Sequence, residues 1–177
     1  MSQSPETSGA GAIRIKTGAA ILAFLEALLL GAWLGSMIFF SFAVAPRAFA
    51  ILPSRHLAGQ LVSSTLSSLE IMGLIAGPLL IALRLVSGAA VSRFAKLLHL
   101  LLLALMTASA GLSRMVIAPR LEALRAGMGG VIDNVPLNDP LRMQFDDLHK
   151  YSVALMTAAM LAGLIAMWLT VRSWLRR

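Results

Sequence analysis

Four apolar runs, each long enough to cross a bilayer, constrain this chain more than any other feature. They cover roughly residues 20–45, 65–86, 97–118 and 150–171, each near the ~20 residues that a 30 Å hydrocarbon core demands. Lipid offers no partners to backbone N–H and C=O groups, so isolated runs of this kind must be helices. The first and third runs end alike, in Ala43-Val44-Ala45-Pro46-Arg47 and Val116-Ile117-Ala118-Pro119-Arg120, at an offset of 73 positions. The pairs Pro46-Arg47 and Pro119-Arg120 are expected to stop their helices, because proline removes a helix N–H and arginine puts a charge at the lipid boundary. The fold class expected is therefore all-α, an integral membrane four-helix bundle made of two repeated transmembrane hairpins.

Composition supports this architecture. Hydrophobic residues make up 58% of the chain and charged residues 13%, with a mean hydropathy of +0.83, outside the range of a soluble domain. A net charge of +7 would point to nucleic acid in a soluble protein. Here the basic residues cluster at the ends of apolar runs, where they read as topology determinants and anionic-lipid contacts, so a lipid bilayer and no nucleic acid is the expected partner. Cysteine is absent from the sequence, which excludes disulfides, thiolate metal sites and thiol catalysis.

The first run could be mistaken for a secretory signal, since Arg14 and Lys16 precede it and Ala43-Val44-Ala45 resembles a cleavage site. It is too long for a signal core, and Pro46 after the cleavage point would make a poor substrate, so retention as a true span is expected. Residues 1–17, whose first dozen are rich in Ser, Gly and Ala, read as a disordered cytoplasmic tail, and 18–177 as one membrane domain. Arg14, Lys16, Arg84, Arg93, Lys96, Arg172, Arg176 and Arg177 fall on one side; Arg47, Arg55, Arg114, Arg120, Arg125, Arg142 and Lys150 fall on the other. The first set occupies shorter segments, so both termini are expected on the cytoplasmic side.

Outside the spans, helical spacing after Pro53-Ser54 and the cap Asn138-Asp139-Pro140 predict that the second and fourth helices protrude and pack beyond the outer boundary. Small residues recur every four positions at Ala27, Gly31 and Gly35, at Gly73 and Gly77, and at Ala158, Ala162 and Ala166, a pattern that permits close helix approach. Pro78 is expected to kink the second span.

Ionisable residues inside lipid are costly unless paired or hydrated, so they are the candidate functional residues. Glu70 and Arg114 each lie about five residues, roughly 8 Å, inside the outer boundary. Ser41 shares that depth through the repeat, and His149 and Tyr151 stand at the same rim with Asp146 and Asp147. A salt bridge pinning the helices and a ligand or ion site both account for this group. A second group lies near the inner boundary, where Glu26 and His99 are equivalent under the repeat and Arg84 and Lys96 are close in depth; interfacial snorkelling explains it most simply. Met156, Met160 and Met167 share a face with His149 and could be read as a soft-metal stripe, although methionine is also ordinary core filler. No Ser/His/Asp or paired-carboxylate arrangement is evident, so the expectation is a non-enzymatic protein without cofactor or resident metal.

The segment Gly31-Ala32-Trp33-Leu34-Gly35-Ser36-Met37-Ile38-Phe39-Phe40-Ser41-Phe42-Ala43-Val44-Ala45-Pro46, then Phe49, Leu52-Pro53, Ala58-Gly59, Ile117-Ala118-Pro119, Phe145, Leu148-His149 and Ser152, resembles the transmembrane protein 205-like family. The resemblance spans most of residues 25–165; it departs from the family pattern at Met156, where an Asn is expected, and near Glu70, where a Tyr is expected. It implies a four-span protein of the bacterial inner (plasma) membrane with no established reaction, in a family with an animal member associated with cisplatin resistance. The role expected on that basis is a membrane scaffold, transporter or transport accessory related to toxic-compound tolerance, with self-association or a membrane partner protein. The alternative is a haem- or copper-binding membrane redox protein, which the family's loose grouping with copper-resistance and haem-pathway proteins implies.

Overall fold

The computed structural model describes residues 6–87 and 92–174. Among these the chain forms α1 (Glu6–Phe39), a π-helical turn (Phe40–Val44), α2 (Ala45–Ile51), α3 (Arg55–Val86), α4 (Arg93–Leu112), a second π-helical turn (Ser113–Ile117), α5 (Ala118–Gly127), a short 3₁₀ turn (Ile132–Asn134) and α6 (Pro140–Trp174). Four continuous apolar helices result: Ala20–Ile51, Arg55–Val86, Arg93–Gly127 and Pro140–Trp174. At 1.5 Å per residue, helices of this length reach about 50 Å, well past a 30 Å hydrocarbon core. The protein is thus a multi-pass, all-α membrane protein.

Two sequence expectations need correction. The Pro-Arg pairs do not stop their helices. Before each proline the ladder widens instead: the Ala45 N–H bonds Phe40 O and the Ala118 N–H bonds Ser113 O, both five residues back. A proline in a regular helix drives its ring into the carbonyl four residues earlier; the π turn opens the ladder there, and Pro46 and Pro119 open new helical segments. Arg47 and Arg120 lie exposed on these extensions. The second correction concerns the tail. Residues 6–17 belong to α1, because extending a helix already nucleated in the span requires no new nucleus. Residues 1–5, Arg176 and Arg177 lie outside the described residues.

Chain direction follows from which residues meet. Glu26 early in α1 meets Arg84 late in α3, His99 early in α4 and Thr170 late in α6, so the four helices alternate in direction and α1 runs parallel to α4. The repeat is also visible in packing. Glu26, Leu30, Trp33 and Phe40 are buried on the first helix, and their equivalents His99, Leu103, Met106 and Ser113 are buried on the third. Alternating spacings of four and three define a narrow helical seam, which places one buried stripe in each half at the same register.

The core comprises Leu30, Trp33, Leu34, Met37, Ala76, Leu80, Leu103, Met106, Ala159, Ala162 and Ala166. Large apolar side chains such as Phe24, Leu28, Ile75, Leu79, Leu101 and Leu164 point outward, as a lipid-facing surface requires. Small residues let the helices meet: a Cβ on Gly73 would lie 2.7 Å from Trp33 Cζ2, and one on Gly77 would lie 2.9 Å from Thr107 Cβ. Gly35 has open space around it, so the small-residue stripe of the first helix does not continue into a bundle contact there. Helix α3 runs without interruption through Pro78.

The end with the long connection, here the loop end, is built from helix extensions as the caps predict. Ser54 Oγ accepts the Leu57 N–H, and Asp139 Oδ1 accepts the Leu141 and Arg142 N–H groups ahead of Pro140. Gly129 and Gly130 close α5 at φ +74° and +82°, values that disfavour a side chain. Arg125 of α5 lies 5.6 Å over the Phe145 ring of α6 and reaches Ser63 of α3. The opposite end, where α3 finishes and α4 begins, is the terminal end.

Candidate functional site

Two polar centres lie inside the bundle, one in each half of its length. Toward the loop end, α1, α3, α4 and α6 separate around a cavity of about 360 Å³. Most of its wall is apolar, including Trp33, Met37, Met106, Met156 and Met160. Its polar groups come from all four long helices: Ser41, Glu70, Ser109, Ser113, His149, Ser152 and Thr157.

Glu70, buried at 4% exposure, accepts a hydrogen bond from Ser113 Oγ. The pairing expected between Glu70 and Arg114 is not what forms. Arg114 Nη1 donates to Ser67 Oγ at 2.6 Å, and no ion pair within 4 Å joins Glu70 to Arg114 among the described residues. Depth along the helix is as expected, but azimuth differs: Ser113 continues the buried seam of α4, while Arg114, one residue on, is turned about 100° away. Ser41 Oγ faces sulfur, 3.3 Å from Met156 Sδ and 3.8 Å from Met160 Sδ. His149 stands at the rim, its ring stacked on Phe145 with centroids 6.3 Å apart. Tyr151 is not part of this site; it is 66% exposed and lines an open groove with Arg120 and Asp147. Met167 also lies apart from the cavity and packs near Gly31.

Sequence reasoning missed two residues of this site, Ser113, which bonds Glu70, and Ser109. Ser109 is buried, lines the cavity, and its Oγ has no hydrogen-bond partner among the described residues. A buried hydroxyl left unpaired is costly. The 73-position alignment of the buried seams carried the signal for Ser113, and Ser109 lies one helical turn before it.

Toward the terminal end the second centre is tighter than expected. Glu26 Oε2 lies 3.7 Å from Arg84 Nη1, Glu26 Oε1 lies 3.4 Å from His99 Nε2, and Thr170 Oγ1 donates to Glu26 Oε1 at 3.3 Å. Each helix thus contributes one residue. All four are at most 2% exposed, so surface snorkelling does not explain this group: these side chains are enclosed between the helices rather than laid along the bundle's outer face. Only Lys96 behaves as an interfacial residue, its Nζ 3.5 Å from Leu85 O. Both ring nitrogens of His99 lack hydrogen-bond partners among the described residues.

The model of a family described as Domain of unknown function (DUF4149) matches residues 28–129, more than half of the 177. The chain belongs to the DUF4149 family. No curated protein and no solved structure matches it. Both π turns, Glu70, Ser109 and Ser113 fall inside the DUF4149 match. Glu26 and α6, which complete the two centres, lie outside it.

Proposed function

We propose that this DUF4149 protein is a non-enzymatic membrane carrier or transport accessory that takes an amphiphilic small molecule from the bilayer into the cavity between α1, α3, α4 and α6. The observation that carries this reading is the cavity itself. Its volume of about 360 Å³ falls in the range of small-molecule sites, roughly 300–1,000 Å³, and its apolar wall carries few polar groups. Glu70 and the unpartnered Ser109 hydroxyl would receive a hydrogen-bond donor, while the methionine and aromatic side chains would hold an apolar body. The resemblance to the transmembrane protein 205-like family supports a role in tolerance to toxic compounds, acting alone, as a self-associated assembly or with a membrane partner. The same resemblance supports a bacterial inner-membrane location, and the dense basic residues in short segments support cytoplasmic termini.

The test is saturable binding of a lipophilic fluorescent amine by the purified protein in detergent, compared with Ser109→Phe, which fills the cavity, and Glu70→Gln. Binding that weakens at least roughly tenfold in Ser109→Phe fits loss of about 1.4 kcal/mol or more of ligand contact. Binding unchanged in both variants would refute the proposal.

The copper alternative has one observation in its favour, since Met37, Met106, Met156, Met160 and His149 line the same cavity and thioethers suit a soft cation. About one copper per chain surviving washing, and lost in His149→Ala, would promote it. For haem, His99 and His149 belong to different centres at opposite ends of the bundle, which does not suit a bis-His ligand set.

A further inference from the structure

A smaller cavity, about 280 Å³, opens at the terminal end between α3, α4 and α6. Arg84, Arg172, Ser92 and Ser173 line it, with Phe94 and Trp168 at its lipid side; no Asp or Glu is among its described lining residues. Arg84 is only 2% exposed, and its Nε and Nη1 have no hydrogen-bond partner among the described residues. Its nearest carboxylate, on Glu26, is 3.7 Å away and also faces His99 and Thr170. Arg172 lies over the Trp168 ring at 5.0 Å. Ser92 caps α4, a helix of 20 residues, whose first-turn N–H groups and dipole present partial positive charge.

We propose that this cavity holds the phosphate of an anionic phospholipid, with Arg84 and Arg172 as its counter-charges. Three observations favour a lipid of this charge. Arg84 and Ser92 sit within two residues of the facing ends of α3 and α4, and Arg172 and Ser173 lie in the last described turn of α6, the depth of a headgroup. Phe94 is 75% and Trp168 56% exposed, so the mouth opens onto the apolar surface along which acyl chains would run. Arg93 and Lys96 flank the α4 start and would repel the ammonium of a zwitterionic headgroup.

The experiment compares lipid retention by the full chain in native mass spectrometry after exchange into mixed micelles containing phosphatidylglycerol or phosphatidylcholine. One phosphatidylglycerol per chain should be retained in preference to phosphatidylcholine. Removing one basic contact, in Arg172→Gln, should weaken retention by roughly fivefold, while Arg55→Gln at the loop end leaves it unchanged. Arg172 is exposed, so this variant keeps the test usable if Arg84→Gln does not fold. Equal retention of the two lipids, or wild-type retention by Arg172→Gln, would overturn the proposal. Displacement of the lipid by millimolar glycerol phosphate would overturn it too, by showing that the site takes a free phosphate ester.

Discussion

Replacing Arg84 by Met, Glu26 by Gln, and both together tests whether the terminal-end cluster behaves as one interacting unit. At the observed 3.7 Å and an effective dielectric near 20, the attraction between the two charges is roughly 4 kcal/mol. Their side chains are each 2% exposed, so solvent screens this little. Arg84→Met leaves the Glu26 carboxylate facing the His99 ring and the Thr170 hydroxyl, and the loss should be about 3–5 kcal/mol, as for other buried charges deprived of a partner. Glu26→Gln should cost less, about 2–3 kcal/mol on the same scale, because Arg84 lies in the last turn of α3, where the helix dipole favours a cation. The double variant buries two neutral groups, so it should be more stable than the sum of single losses implies, with a coupling of at least about 2 kcal/mol. The assay is reversible unfolding in mixed micelles titrated with dodecyl sulfate, followed by far-UV circular dichroism and by the fluorescence of buried Trp33. Losses that add to within about 0.5 kcal/mol would refute the coupling and the reasoning built on it.

Two further outcomes are expected. Gly73→Ala drives a methyl toward the Trp33 ring and should destabilise by about 1–3 kcal/mol, whereas Gly35→Ala, with open space around it, should be neutral or stabilising by up to about 1 kcal/mol; equal melting temperatures for the two variants would contradict the packing. Reporter fusions after residue 177 and within 126–139 should read cytoplasmic and external respectively, and an external C-terminus would overturn the proposed orientation.

Hydropathy made the four helices, their alternation and the hairpin repeat legible, because lipid leaves a long apolar run few alternatives to helix. Capping residues at Ser54 and Asp139 were legible for the same local reason: a side-chain oxygen placed to accept the N–H groups of a helix start. The π turns were not, since Pro46 and Pro119 signal a broken ladder without saying whether the chain ends there or widens and continues. The candidate residues were found by depth alone. Depth brought Glu26, Arg84 and His99 to one level but could not tell an inward from a snorkelling side chain. It also brought Arg114 level with Glu70, while the rotation per residue gave the contact to Ser113. Tyr151 failed for that reason, sharing the rim but not the face.

The two π turns occupy equivalent positions, Phe40–Val44 and Ser113–Ile117, at the same 73-residue offset and on helices that run in the same direction. A single i→i+5 turn rotates everything beyond it about the helix axis relative to a regular α-helix. The stretches before and after each turn therefore present different faces to the bundle, in both halves alike.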